Sequence, residues 1–168
     1  ETMLGDTAIA VNPSDERYKN VVGKFVTIPL VGRKIKIIED EYADPEQGTG
    51  AVKITPAHDF NDYEVGERNN LEIINVFTED GKINENAPKE FIGLDRFEAR
   101  KQLLKKLKEN NFFVEEENIK NKVPYGDRSN SIIEPYLTEQ WFADAKKLSI
   151  KAKEIVNNKS TNFFPENW

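Results

Sequence analysis

Residues 48–62 read GTGAVKITPAHDFND, and this stretch decides what kind of chain the rest belongs to. On a strand over 51–55, Val52 and Ile54 point to one face while Lys53 and Thr55 point to the other. Pro56 stops a regular interior strand, and the HDFNDYEVGERNN that follows carries acids at its start in the manner of a helix N-terminus. Asp59 and Asp62 are three residues apart and share a side near the first turn of that helix. Lys53, Thr55, Asp59 and Asp62 therefore form a compact candidate site. Two carboxylates and one ammonium leave it net negative, which suits a cationic group such as a free α-amine.

Each of these residues also has an ordinary reading. Asp59 and Asp62 serve equally as an N-cap and a dipole-favoured acid, and Lys53 as a solvent-facing strand residue. Gly48 and Gly50 read as turn glycines, since GTG lacks a full dinucleotide or P-loop pattern. His58 is the only histidine, so it belongs to no multi-histidine metal site, and a structural role suits it best.

Working outward, DTAIAV (6–11), KFVTIPL (24–30) and RKIKIIED (33–40) read as strands, the last with Ile35 and Ile37 alternating with Lys34 and Lys36. NPSDERYKNVVG (12–23) offers a short helix, with Pro13 in its first turn and Gly23 at its exit. EIINVF (72–77) and FFVEE (112–116) read as further strands. DRFEARKQLLKKLKENN (95–111) is the clearest helix, capped by Asp95, with Phe97, Leu103, Leu104 and Leu107 as its apolar stripe. A last helix is expected from about Asp144 to Val156, followed by the aromatic ending NFFPENW, which reads as a segment that packs against something further. Short strands with inserted helices predict an α+β or barrel-like domain rather than a parallel βαβ array.

Composition narrows the class. The 168 residues suffice for one domain plus an appended segment. There is no cysteine, so disulfides, thiolate nucleophiles and cysteine zinc sites are excluded, and a cytoplasmic location with no membrane span is expected. The net charge of -6 argues against nonspecific nucleic-acid binding by the whole surface. The balance is uneven: residues 99–168 carry 13 Lys and Arg against 10 Asp and Glu, the remainder 11 against 20. Only the second part suits an anionic partner, and ordinary solvated helix faces explain the same asymmetry. Starting at Glu1 with Met3 as the only methionine, the chain reads as a piece of a longer one.

Taken in order, ETMLGDTAIAVNPSDERY, LVGRKIKIIEDEYADPEQGTGAVKITPAHDFNDYEVG, INENAP, GLDRFEAR and IIEPYLTEQWF resemble the editing insertion of the valyl-tRNA synthetase family, a class I aminoacyl-tRNA synthetase family. The likeness covers almost the whole chain. It implies a β-barrel-like editing domain with peripheral helices over residues 1–125, and a return segment over 126–168 leading to the synthetase catalytic core. It also implies hydrolysis of threonine wrongly attached to valine tRNA, and leaves threonyl-adenylate open as a second substrate. A hydrophobic synthetic pocket rejects the nearly isosteric threonine only weakly; the valine–threonine pair is the established example of that limit and of double-sieve editing.

By the same resemblance, Asp62 holds the substrate's α-ammonium, and Lys53, Thr55 and Asp59 read the threonine hydroxyl and place water. Thr2, His58, Gly48, Thr49 and Gly50 are implied as further substrate contacts, Thr2 on a threonine-rich wall that in the family begins with Thr-Thr-Arg-Pro ahead of it. The implied partners are the tRNA(Val) acceptor end and the remainder of the synthetase. No cofactor or metal is implied for editing, ATP and Mg2+ belonging to the synthetic core. With no cysteine and no serine paired to a histidine, water rather than an enzyme nucleophile is expected to attack the ester. Asp62→Ala is expected to abolish hydrolysis and leave the fold intact. Two other readings stand beside this one: a non-catalytic module docking the tRNA acceptor end through Lys105, Lys106 or Lys108, and an editing domain of isoleucyl type.

Overall fold

The structure, a computed structural model, describes residues 1–116 and 122–165. Four strands form one sheet: β1 (Ala8–Val11), β2 (Phe25–Thr27), β3 (Lys34–Glu39) and β4 (Ala51–Ile54). Their order is β2-β3-β1-β4. β1 runs parallel to β3, with Ile9 opposite Ile37, and antiparallel to β4, with Ala8 opposite Ile54 and Val11 opposite Ala51. β2 pairs antiparallel to β3 at the far edge. Ile35 and Ile37 are buried and Lys34 and Lys36 exposed, as the period of two requires.

The architecture is mixed α+β, but the sheet is open where a barrel-like closure was expected. Closure would pair β2 with β4. β2 is only three residues long, exposed throughout, and bonded on one side to β3 alone. Beyond β4 the chain turns into helix α1 (Phe60–Asn69) instead of a fifth strand.

Three other expectations change. Residues 13–23 form linked turns rather than a helix, held by Tyr18 N–H to the Asp15 carbonyl and Val21 N–H to the Tyr18 carbonyl. Asn12 and Asp15 draw nearby backbone N–H groups onto their side chains, the local competition that keeps such residues out of helices. EIINVF contributes only an isolated bridge, Phe77 to Ile83, because the backbone of 75–77 bonds to Asn75, Asn84 and Asn86 side chains instead of a ladder. FFVEE is not a strand: Phe112 and Val114 are exposed, and the Phe112 N–H bonds to the Leu107 carbonyl at the end of the preceding helix rather than to a strand.

Helix α2 (Arg96–Glu109) is capped by Asp95, whose carboxylate accepts the Phe97 N–H at 2.9 Å. Its inward face is Ala99 and Leu103, with Leu107 packed behind them; Phe97 turns outward and lies under the guanidinium groups of Arg96 and Arg100. These residues join Leu4, Val76, Phe77, Ile83 and Phe91 in one apolar cluster. A second cluster gathers Ala8, Ala10, Ile38, Ala43, Ile54 and Val65 between the sheet and α1. Burying either set supplies the main driving force for folding, at roughly 25 cal/mol per Å2 of apolar surface.

The chain divides into two compact units, Glu1–Leu137 and Thr138–Trp168. In the first, Arg96 donates to the Ile132 carbonyl at 2.7 Å and Tyr125 bridges Ile132. In the second, helix α3 (Ala145–Asn157) is capped by Asp144, which accepts the Lys147 N–H at 2.9 Å. Residues 166–168 of the aromatic ending NFFPENW lie outside the described residues. No helix among the described residues is long and apolar enough to cross a membrane.

Candidate functional site

β4 delivers Ile54 to the apolar cluster and, one residue earlier, sends Lys53 outward, where its side chain is half exposed. A tight turn closes after it, with the His58 N–H on the Thr55 carbonyl, and Asp59 starts α1. The Asp59 carboxylate accepts the Asn61 and Asp62 N–H groups at 2.8 and 3.0 Å, so Asp59 is an N-cap and its ordinary reading holds.

That cap sets the first turn so that Asp62 points back at the end of β4. Asp62 is 1% exposed. Its Oδ2 accepts the Lys53 ammonium at 2.6 Å and the Thr55 N–H at 2.9 Å. Among the described residues its Oδ1 accepts no hydrogen bond. One carboxylate oxygen is thus fixed by two donors while the other remains able to take a third. A small cation with N–H groups is the natural occupant.

Thr55, expected on the same face as Lys53, is fully buried rather than exposed beside it. Its hydroxyl donates to Asp6 Oδ1 at 2.5 Å, so Thr55 joins two carboxylates, one through its side chain and one through its backbone. Asp6 was not singled out from the sequence. A signal was present, since Asp6, Ala8 and Ala10 fall on one face at a spacing of two and both alanines are buried. Burial pushes the Asp6 carboxyl up to about 6, Asp62 adds to the push, and the Thr55 hydroxyl and Lys53 oppose it. The Asp6 backbone is pinned as well: its N–H bonds to the Met3 carbonyl and its own carbonyl accepts from Arg33, which also holds the Leu4 carbonyl. Tyr42 is a second residue missed, in the loop EYADPE, which carries no pattern that would mark it. Burial and the charges of Asp62 and Asp59 raise its phenol above the usual tyrosine range.

His58 is buried among neighbouring residues. Its Nε2 accepts the Val76 N–H at 3.0 Å and its ring packs on Phe77 with centroids 4.5 Å apart. Nδ1 then carries the proton and completes no hydrogen bond, although the nearby Pro135 backbone favours the charged ring. Burial wins and holds the ring below the ordinary histidine value.

Gly48, Thr49 and Gly50 are not brought to Asp62. They form the turn entering β4, with the Thr49 carbonyl accepting from the Tyr18 hydroxyl at 2.6 Å. At about 3.3 Å per residue, Gly50 lies roughly 16 Å along the strand from Thr55. Thr2 sits half-buried in a 3-10 turn over Thr2–Gly5, on the segment that ends at Asp6. A cavity of about 570 Å3 lies between the α1 start, at Pro56, Asp59 and Tyr63, and the segment carrying Pro124, Pro135 and Tyr136; Lys53 and Asp62 do not line it.

The Asp6–Thr55–Asp62–Lys53 network, with its amine-seeking oxygen, lies within or one residue from a stretch of known kind. Residues 7–111, more than half of the chain, match the family described as the editing domain of leucyl-tRNA synthetase. The chain belongs to this editing-domain family.

Similarity to curated relatives extends over the whole chain. Over all 168 residues the chain is 83% identical to the valine--tRNA ligase of Pelagibacter ubique (strain HTCC1062), covering 19% of that protein. It is 55% identical over its full length to the valine--tRNA ligase of Caulobacter vibrioides (strain ATCC 19089 / CIP 103742 / CB 15), covering 18%. The corresponding ligase of Dechloromonas aromatica (strain RCB) is 51% identical, with 100% of this chain and 19% of the relative covered. The chain thus spans about a fifth of the length of the curated relatives it matches.

Proposed function

We propose that the domain hydrolyses the ester between threonine and the terminal ribose of valine tRNA. The observation that carries this reading is Asp62, a buried carboxylate whose Oδ2 accepts from Lys53 and Thr55 while Oδ1 accepts from no described residue. The α-ammonium of an aminoacyl ester is a fitting donor for Oδ1. Held there, the ester is fixed relative to Lys53, whose half-exposed ammonium stands ready to orient water or to stabilise the oxyanion. Water attacks the carbonyl carbon, the bond to the ribose oxygen breaks, that oxygen takes a proton, and free threonine and tRNA leave.

Within this reading the amine site does not distinguish threonine from valine, because both carry the same α-ammonium. Preference for threonine then requires a polar group that meets its hydroxyl, the role implied for the remaining pocket residues. Residues 1–125 carry the editing function and residues 126–168 lead back to the synthetic core of the longer protein, in the cytoplasm, where ATP and Mg2+ act. Similarity to whole valine–tRNA ligases over the full chain supports the valine tRNA as the partner.

The test is to incubate the 168-residue chain with threonyl- and valyl-tRNA(Val) and follow release of each amino acid. Release of threonine with valine spared supports the proposal. Tight binding of both with no release would overturn it in favour of a docking module, and preferential release of valine would point to isoleucyl-type editing.

A further inference from the structure

Asp6 is a costly group to keep where it is. Its carboxyl is 3% exposed, it faces a second buried carboxylate at Asp62, and its side chain accepts one hydrogen bond, from Thr55. A neutral side chain would satisfy the Thr55 hydroxyl at lower desolvation cost. The surrounding backbone leaves Asp6 no freedom to turn away. Gly5 packs so closely on the Ile74 carbonyl that a Cβ there would sit 2.6 Å from it, and Thr7 N–H bonds to the Ile54 carbonyl at 2.9 Å. Asp6 is therefore held against the residue whose N–H holds Asp62.

We propose that Asp6 is a positioning residue for the editing reaction: by anchoring the Thr55 hydroxyl it keeps the Thr55 N–H on Asp62 Oδ2 and so leaves Asp62 Oδ1 aimed at the substrate amine. Without Asp6 the buried Thr55 hydroxyl must find another acceptor, and the neighbouring carboxylate is Asp62 itself. A hydroxyl bonded to Oδ1 would occupy the position the substrate ammonium needs. The charged and titratable groups facing Asp6 are Lys53 on β4, Asp62 on α1 and the amino group of Glu1. Arg33 reaches its backbone carbonyl. This role rests on the proposed deacylation, and it makes Asp6 act through Thr55 rather than on the ester.

The experiment compares wild type, Asp6→Ala and Asp6→Asn. The first readout is the steady-state hydrolysis of threonyl-tRNA(Val); the second, independent of activity, is the hydrogen exchange of the Thr55 amide by NMR. Asp6→Ala is expected to lower kcat at least tenfold with KM within about twofold, the mark of lost alignment. It should also speed Thr55 amide exchange at least tenfold under conditions where core amides such as Ile54 stay protected. Asp6→Asn keeps an acceptor for the hydroxyl and should restore both readouts to within about threefold of wild type. Unchanged Thr55 exchange in Asp6→Ala would overturn the proposal. So would a loss of kcat that tracks the fraction unfolded, or one that Asp6→Asn does not rescue. If the wild type releases no threonine, the deacylase reading fails and the catalytic role of Asp6 with it, while Thr55 exchange separately decides whether Asp6 holds the Thr55 amide on Asp62.

Discussion

The Lys53 ammonium lies 2.6 Å from Asp62 Oδ2, with the lysine side chain 48% exposed and the aspartate 2%. This is an asymmetric pair. Lys53 can return to water when the contact breaks, whereas Asp62 cannot follow it. Removing the ammonium therefore leaves a buried carboxylate without its charge partner, so Lys53→Met should cost more than the roughly 1 kcal/mol of a fully exposed pair in a urea unfolding curve. Its larger effect is expected on hydrolysis, where the ammonium faces the reacting ester.

Asp62 is a different matter, because its burial corrects the expectation that Asp62→Ala leaves the fold untouched. Removing the carboxylate strands the buried Thr55 N–H, at a cost of about 1–3 kcal/mol. Asp62→Asn keeps an oxygen for that N–H and should lose less stability. Both should lower threonyl-tRNA hydrolysis by on the order of a hundredfold or more, since neither holds an ammonium in place. Urea midpoints beside initial rates separate the two effects; near wild-type rates in Asp62→Asn would remove Asp62 from the amine site.

The raised Asp6 carboxyl sets a pH dependence. An acid raised from 3.8 to about 6 binds its proton more tightly when folded, so its contribution favours folding at low pH. That contribution falls away as pH rises from about 4 through 6 and amounts to up to about 3 kcal/mol. His58 acts in the opposite sense, since a ring held below 6.5 costs stability once the unfolded chain protonates. The clean measurement is thus a difference: Asp6→Asn should gain on wild type as pH goes from 4 to 7. A flat difference across that range would show that Asp6 does not titrate there.

Helix α1 is seated through Gly66, where an added Cβ would lie 2.8 and 2.9 Å from the Pro56 ring. Gly66→Ala must push α1 off β4 and carry Asp62 with it. The expected result is a loss of about 1–3 kcal/mol despite alanine's better helix propensity, together with a fall in hydrolysis. Thermal unfolding is sufficient to check the stability, and a stabilised variant would contradict the packing.

The GTG turn separates the two glycines. Both have positive φ, +54° at Gly48 and +79° at Gly50, but only Gly50 is crowded, with an added Cβ 2.5 Å from Arg17 Nη2 and 3.0 Å from Asp15 Oδ2. Gly48→Ala should cost about 1 kcal/mol for the backbone alone, and Gly50→Ala more because it also disturbs the Arg17–Asp15 pair. Equal losses would mean that the crowding relaxes freely.

The sequence by itself determined the elements whose signals are local. Alternation in RKIKIIED placed β3, Asp59 and Asp95 marked the starts of two helices, and the turn from AVKIT through Pro56 put Lys53 near Asp62. Periodicity and capping act over a few residues, so they survive in any context. The tertiary structure alone decided where weak local preferences lost. EIINVF gave its backbone to asparagine side chains, 13–23 turned rather than coiled, and the sheet stayed open because β2 met only β3. It also decided the role of Thr55 and revealed Asp6, 49 positions away in the chain. A hydrogen bond between two buried groups that distant depends on how β1 and β4 pair, and no pattern within either segment encodes it.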